Sequence, residues 1–193
     1  MLDHTHAGRL PRARSRALSA LPVIARAALL ALAFAGTVRA DAPAGLAKFA
    51  GNYKYAGTRD QGIAVVDKAI DESLADLNMV MRLLVKRAIQ DRFAETILIE
   101  TPGDKIGIKV GDLDQVTLPI GKTERVTGKN GKSGNVTHTF DGSKITETVA
   151  GDQGTITNVF ELSPDGKTLH RSVTVTGERM KKPVKYRLDY ARQ

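Results

Sequence analysis

From Ile63 to Phe93 the chain has no Gly or Pro, and apolar side chains fall at Ile63, Val66, Ile70, Leu74, Leu77, Met81, Leu84 and Ala88. Steps of three and four make one helical stripe. The other side carries Lys68, Glu72, Asp76, Arg82, Lys86 and Gln90, with Met79 and Leu83 intruding, so one face is expected to pack and the other to meet water. A straight helix over this stretch would be about 46 Å long at 1.5 Å per residue, against roughly 20–30 Å for strands of six to nine residues. The stretch must break or overhang. Ser73 followed three residues later by Asp76 resembles a helix N-cap, which places the break near Asp71–Ser73 and predicts a helix pair; the alternative is one long helix with Ser73 in its middle.

The rest of the chain alternates with period two. Phe49, Gly51, Tyr53 and Tyr55 share one parity and Asn52 and Lys54 the other, which predicts a first strand over Phe49–Lys54. After the helical stretch, runs around Ile97–Ile99, Ile106–Val110, Gln115–Leu118, Lys122–Thr127, Val136–Phe140, Ile145–Val149, Thr155–Leu162, Leu169–Thr176 and Val184–Tyr190 are separated by Gly-, Pro- and Asp-rich turns. Every connection is of hairpin length. The expected fold is mainly β: an antiparallel up-and-down barrel of about ten strands, with a helical insertion (helix pair or long helix) after the first strand, packed as a lid at about residues 60–94. Closing the sheet removes the exposed edges that an open ten-stranded meander would leave.

On the apolar parity, four consecutive strands set one polar residue between two apolar ones: Val136-His138-Phe140, Ile145-Glu147-Val149, Ile156-Asn158-Phe160 and Leu169-Arg171-Val173. The last strand places Tyr186, Leu188 and Tyr190 on the same side and Lys185, Arg187 and Asp189 on the other. If that parity faces inward, His138, Glu147, Asn158, Arg171, Tyr186 and Tyr190 line one interior site. Buried charges must be paired, so Arg171 and Glu147 would either pair internally or present a charge to the polar head of a ligand.

Composition changes the picture at the N-terminus. Arg9, Arg12, Arg14, Arg16 and Arg26 precede the apolar run Ala27–Ala35, and Val38-Arg39-Ala40 supplies small residues at cleavage positions. This order predicts a signal peptide over 1–40, cleaved after Ala40, leaving one domain over 41–193 that is periplasmic or secreted, with a flexible start over Asp41–Lys48. The apolar run is shorter than the about 20 residues of a membrane span, so no transmembrane anchor is expected. Losing six arginines and Asp3 lowers the net charge from +8 to +3. The densest basic run, Arg179–Lys185, has no interleaved aromatic, so nucleic acid is not an expected partner.

There is no cysteine, which excludes disulfides and thiol chemistry. After the leader only His138 and His170 remain, not at metal-ligand spacing, and Gly131-Lys132-Ser133 lacks the earlier glycine of a phosphate loop. Neither a metal, a cofactor nor a catalytic constellation is expected.

The run Phe49-Ala50-Gly51-Asn52-Tyr53-Lys54, with its strand, helical insertion and meander, resembles the fatty-acid-binding-protein branch of the calycin superfamily, whose secreted cousins are the lipocalins. Tyr53 stands where that group's opening pattern has tryptophan. The resemblance implies a β-barrel carrying one small hydrophobic or amphipathic molecule, lipid or fatty-acid-like, under a helical lid, with Tyr53 added to the interior site. Two departures stand out. The family's last strand commonly has an Arg and a Tyr two residues apart that hold a ligand carboxylate, whereas Arg187 here is followed by Asp189, and the helical insertion is longer. Two other functions are compatible with the pattern: a solid barrel acting as a non-enzymatic periplasmic interaction protein, favoured by the 5% aromatic content, and a calycin-like enzyme or haem site using His138 with Glu147.

Overall fold

The computed structural model of the chain describes residues 42–193 apart from 76, 91, 92, 129, 130 and 179, and excludes the side chain at 81. The expected leader, Asp41, Asp76 and Arg179 lie outside the described residues. Ten strands follow in order: β1 (Gly51–Tyr55), β2 (Thr96–Glu100), β3 (Lys105–Val110), β4 (Val116–Pro119), β5 (Thr123–Thr127), β6 (Ser133–Phe140), β7 (Lys144–Gly151), β8 (Gly154–Leu162), β9 (Thr168–Gly177) and β10 (Val184–Arg192). Two helices, α1 (Arg59–Ser73) and α2 (Met79–Gln90), stand between β1 and β2.

All pairs are antiparallel, and the sheet runs β4-β3-β2-β1-β10-β9-β8-β7-β6-β5. The meander therefore closes through its termini, β1 on β10, with Tyr53 opposite Arg192 and Tyr55 opposite Tyr190. The one unpaired junction lies between β4 and β5, at the two ends of this order. There the connecting segment bonds sideways instead, Gly121 N–H to the His138 carbonyl at 2.7 Å and Ile120 N–H to the Asp104 carbonyl at 3.0 Å. The result is a nearly closed barrel, as the alternation and turn spacing predict.

The start of the domain differs from expectation. Leu46–Phe49 is a short 3-10 helix rather than flexible chain and strand. Leu46 and Phe49 are buried, and Phe49 meets Phe140 edge to face, ring centroids 6.0 Å apart. Two large apolar side chains this close to the expected mature start are better hidden than free, and the barrel end hides them.

The helix pair is real, but it breaks later than predicted. Ser73 ends α1 rather than capping α2, and the Leu74 N–H still bonds to the Ile70 carbonyl. The true start signal lies upstream, where Thr58 and Gln61 form a reciprocal capping box. The break resets the helical phase. Val66, Ile70 and Leu74 are buried as the stripe requires, but Leu84 and Ala88 at its far end are exposed. On α2 the inward positions are Val85 and Ile89. Lys86 pairs with Asp67 of α1 at 3.1 Å, Gln90 donates to the same carboxylate, and Arg82 donates to the Ala75 carbonyl at 2.8 Å. These polar groups hold α2 against α1 and leave Met79, Val80, Leu83 and Leu84 in solvent.

Candidate functional site

The alternation places His138, Glu147, Asn158 and Arg171 inside the barrel, each at most 7% exposed. Register makes three of them direct neighbours: His138 stands opposite Glu147, and Glu147 opposite Asn158. Arg171 stands opposite Phe160, one step along the same face from Asn158, within diagonal reach of a long side chain. The side chains then form a directed chain. Arg171 Nε donates to Asn158 Oδ1 at 3.0 Å, and Asn158 Nδ2 donates to Glu147 Oε2 at 2.7 Å. Glu147 Oε1 lies 3.3 Å from His138 Nε2, and His138 Nδ1 lies 2.9 Å from the Ile106 carbonyl oxygen on β3.

Around the row the interior is apolar, with Ile97, Ile99, Ile108, Ile145, Phe160 and Leu169 buried. Among the described residues, the Asn158 amide joins Arg171 to Glu147. A buried ion pair stabilises only when its remaining hydrogen-bonding capacity is met. Here it is not fully met, because Arg171 Nη1 is buried without a hydrogen-bond partner among the described residues. An arginine cannot discharge itself by losing its proton, so Arg171 keeps its charge inside the barrel.

The tyrosines divide. Tyr190 is fully buried and its hydroxyl donates to the Ala94 carbonyl at 2.9 Å. Burial pushes that hydroxyl's pKa up, while the Arg171 guanidinium pulls partly back through its charge and a hydrogen bond, so Tyr190 joins the arginine end of the row as a neutral group. Tyr186 is buried on the same strand face, opposite Val173. Tyr53 is buried elsewhere: its hydroxyl donates to the Phe49 carbonyl at 2.7 Å and accepts from Arg192 Nη2 at 2.6 Å. Arg192 also donates to the Lys48 carbonyl. Tyr53 thus locks the 3-10 helix onto the β1–β10 seam, and its hydroxyl has no bond to the row. Burial raises its pKa too, the Arg192 charge opposing.

On the outer face, Lys185, Arg187 and Asp189 are exposed as the parity predicts. His170 Nδ1 meets Asp189 at 2.7 Å there, so the second histidine belongs to a surface pair. A groove of about 360 Å³ at β1–β3, lined among others by Asn52, Tyr53, Lys54, Thr96 and Lys109, includes Tyr53 but none of His138, Glu147, Asn158 and Arg171. Sequence reasoning missed Arg192 and the Ile106 and Ala94 carbonyls; the parity shared by Tyr190 and Arg192 was the one available hint.

No protein-family model matches the chain, and no curated protein matches it. Solved structures are similar in fold. Lipid binding protein 8 of Caenorhabditis elegans overlaps 76% of this chain and 96% of its own at 12% identity and a TM-score of 0.48. A fatty-acid-binding protein from Drosophila melanogaster brain overlaps 74% and 98% at 18% identity and 0.47. A secretory abundant heat soluble protein from Ramazzottius varieornatus overlaps 76% and 96% at 13% identity and 0.49. The topology defines the class: β10 closing on β1, a helix pair between β1 and β2, and β4 unpaired with β5 make it a nearly closed, ten-stranded antiparallel up-and-down barrel with a helical insertion, and the likeness to these structures is one of fold. Among the described residues, no helix is long and apolar enough to cross a membrane.

Proposed function

We propose that this protein is an exported carrier that holds one hydrophobic or amphipathic molecule, lipid or fatty-acid-like, in the barrel with an anionic head against Arg171. The observation that carries this reading is the buried Arg171 Nη1 without a partner. Leaving such a donor unsatisfied costs about 1–3 kcal/mol, more for a charged group, and a ligand carboxylate would supply the acceptor. The neutral Tyr190 hydroxyl interacts with the same guanidinium. Export rests on the leader pattern at residues 1–40.

The test is a titration of a fluorescent fatty acid and its uncharged ester against the mature protein, Arg171→Leu and Arg187→Leu. Loss of Arg171 should weaken the acid by about 1.5–3 kcal/mol, the range for a charge-assisted hydrogen bond, and leave the ester unchanged. Arg187 lies on the outer face and is the control. Equal effects from both arginines, or no binding by the unmutated protein, would reject the reading.

A solid barrel that acts through its surface is the second reading. Two observations favour it: the dense burial of Ile145, Phe160, Leu169 and Tyr190 around the row, and the exposed apolar side chains of α2. Native mass spectrometry of protein purified from its own host separates the two, since a carrier retains a small molecule and a solid barrel does not.

A further inference from the structure

His138 is the most enclosed member of the row, with none of its surface exposed. Its Nδ1 faces the Ile106 main-chain oxygen at 2.9 Å, an atom that only accepts, so Nδ1 carries a hydrogen. In a neutral ring Nε2 is then a lone pair. An ionised Glu147 would set a second lone pair against it at 3.3 Å. Contact between these atoms needs one further proton, either on Nε2 beside a carboxylate or on Glu147 Oε1 beside a neutral ring. Glu147 Oε2 is already occupied, accepting from an Asn158 amide whose orientation the Arg171 Nε bond fixes.

Charge decides when that proton is held. With it, the His138–Glu147 pair is neutral overall and the row carries the single positive charge of Arg171. Without it, the Glu147 carboxylate balances Arg171. A net charge in a dry interior is costly, so the empty barrel disfavours the extra proton and an anion beside Arg171 favours it. Among the described residues, β3 presents the Ile106 carbonyl to the pair, β5 presents Glu124 opposite Val136 but in solvent, β8 presents Asn158, and β10 presents Tyr186 and Tyr190. The buried side chains of α1 are apolar.

We infer that binding of an anion at Arg171 is coupled to uptake of a proton by the His138–Glu147 pair, an inference that rests on the carrier reading above. The site then takes its ligand more tightly as pH falls, by at most about tenfold per pH unit for one linked proton, and releases it as pH rises. A neutral amphiphile feels no such effect.

The experiment is isothermal titration calorimetry of 1-decanesulfonate, whose head group does not protonate, into the mature protein at one pH in phosphate and in Tris. These buffers differ in ionisation enthalpy, so the difference in apparent enthalpy counts protons taken up per ligand. Uptake of a substantial fraction of a proton is expected. Glu147→Gln, which retains an acceptor for Asn158 and a donor for His138, should still bind but take up almost none, and His170→Gln on the outer face should behave as the unmutated protein. Circular dichroism melts establish that each variant is folded; were Glu147→Gln unfolded, His138→Gln serves the same test. Binding without proton uptake, or uptake unchanged in Glu147→Gln, would overturn the coupling and leave the carrier reading standing. An absence of any binding heat would overturn both.

Discussion

Gly62 lies in the first turns of α1 with the Phe93 ring against it: a Cβ built there would stand 2.1 Å from Phe93 Cε2 and 2.5 Å from Cζ. The ring is itself held, edge to face with Tyr55 at 5.3 Å and under the Arg59 guanidinium. Alanine is the better helix former by about 0.8–1.0 kcal/mol, but overpacking a filled site costs about 1–3 kcal/mol. Gly62→Ala should therefore destabilise the protein by about 1 kcal/mol, a sign opposite to propensity, measurable as a lower urea midpoint with an unchanged slope. At the same scale, Arg171, Glu147, Asn158 and His138 were legible in the sequence. Their alternation with large apolar residues on four successive strands gave their face, and face is what period two encodes.

At the scale of elements, α1 and α2 show where periodicity misleads. The apolar stripe from Ile63 to Ala88 is continuous on paper only if the helix is continuous. The break between Ser73 and Met79 turns α2 so that Lys86 and Gln90 meet Asp67, and Leu84 and Ala88 at the far end of the stripe lie in solvent. Ile70→Asp and Leu84→Asp separate the two halves. Ile70 is fully buried, so an unpaired carboxylate there should cost several kcal/mol, roughly 3 or more. Leu84 is 60% exposed, and its substitution should stay within about 0.5 kcal/mol. Equal losses in chemical denaturation would mean that α2 packs by the continuous stripe after all.

For the whole molecule, closure depends on contacts between chain ends. β1 and β10 pair across some 140 residues, and Arg192 ties Tyr53 and the Lys48 carbonyl together at that seam. A mature chain beginning at Asp41 would retain Leu46 and Phe49, the side chains that fill this end of the barrel. Intact-mass measurement of protein recovered from the medium or periplasm should accordingly give a chain starting at Asp41; a mass that includes residues before Ala40 would reject the leader.

The amino-acid pattern alone determined the number and order of strands, the presence of a helical insertion after the first, and which polar residues face inward, because these follow from local periodicity and turn chemistry. Partners were beyond it. His138 reaches the Ile106 carbonyl 32 residues away, Tyr190 the Ala94 carbonyl 96 away, and Arg192 the Tyr53 hydroxyl 139 away. Only the curvature and register of the closed sheet bring such groups within 3 Å. The same closure decides that Tyr53 is spent on the seam rather than the interior row, and that Arg171 keeps one donor free: parity says which side a residue faces, and tertiary packing alone says what is there to meet it.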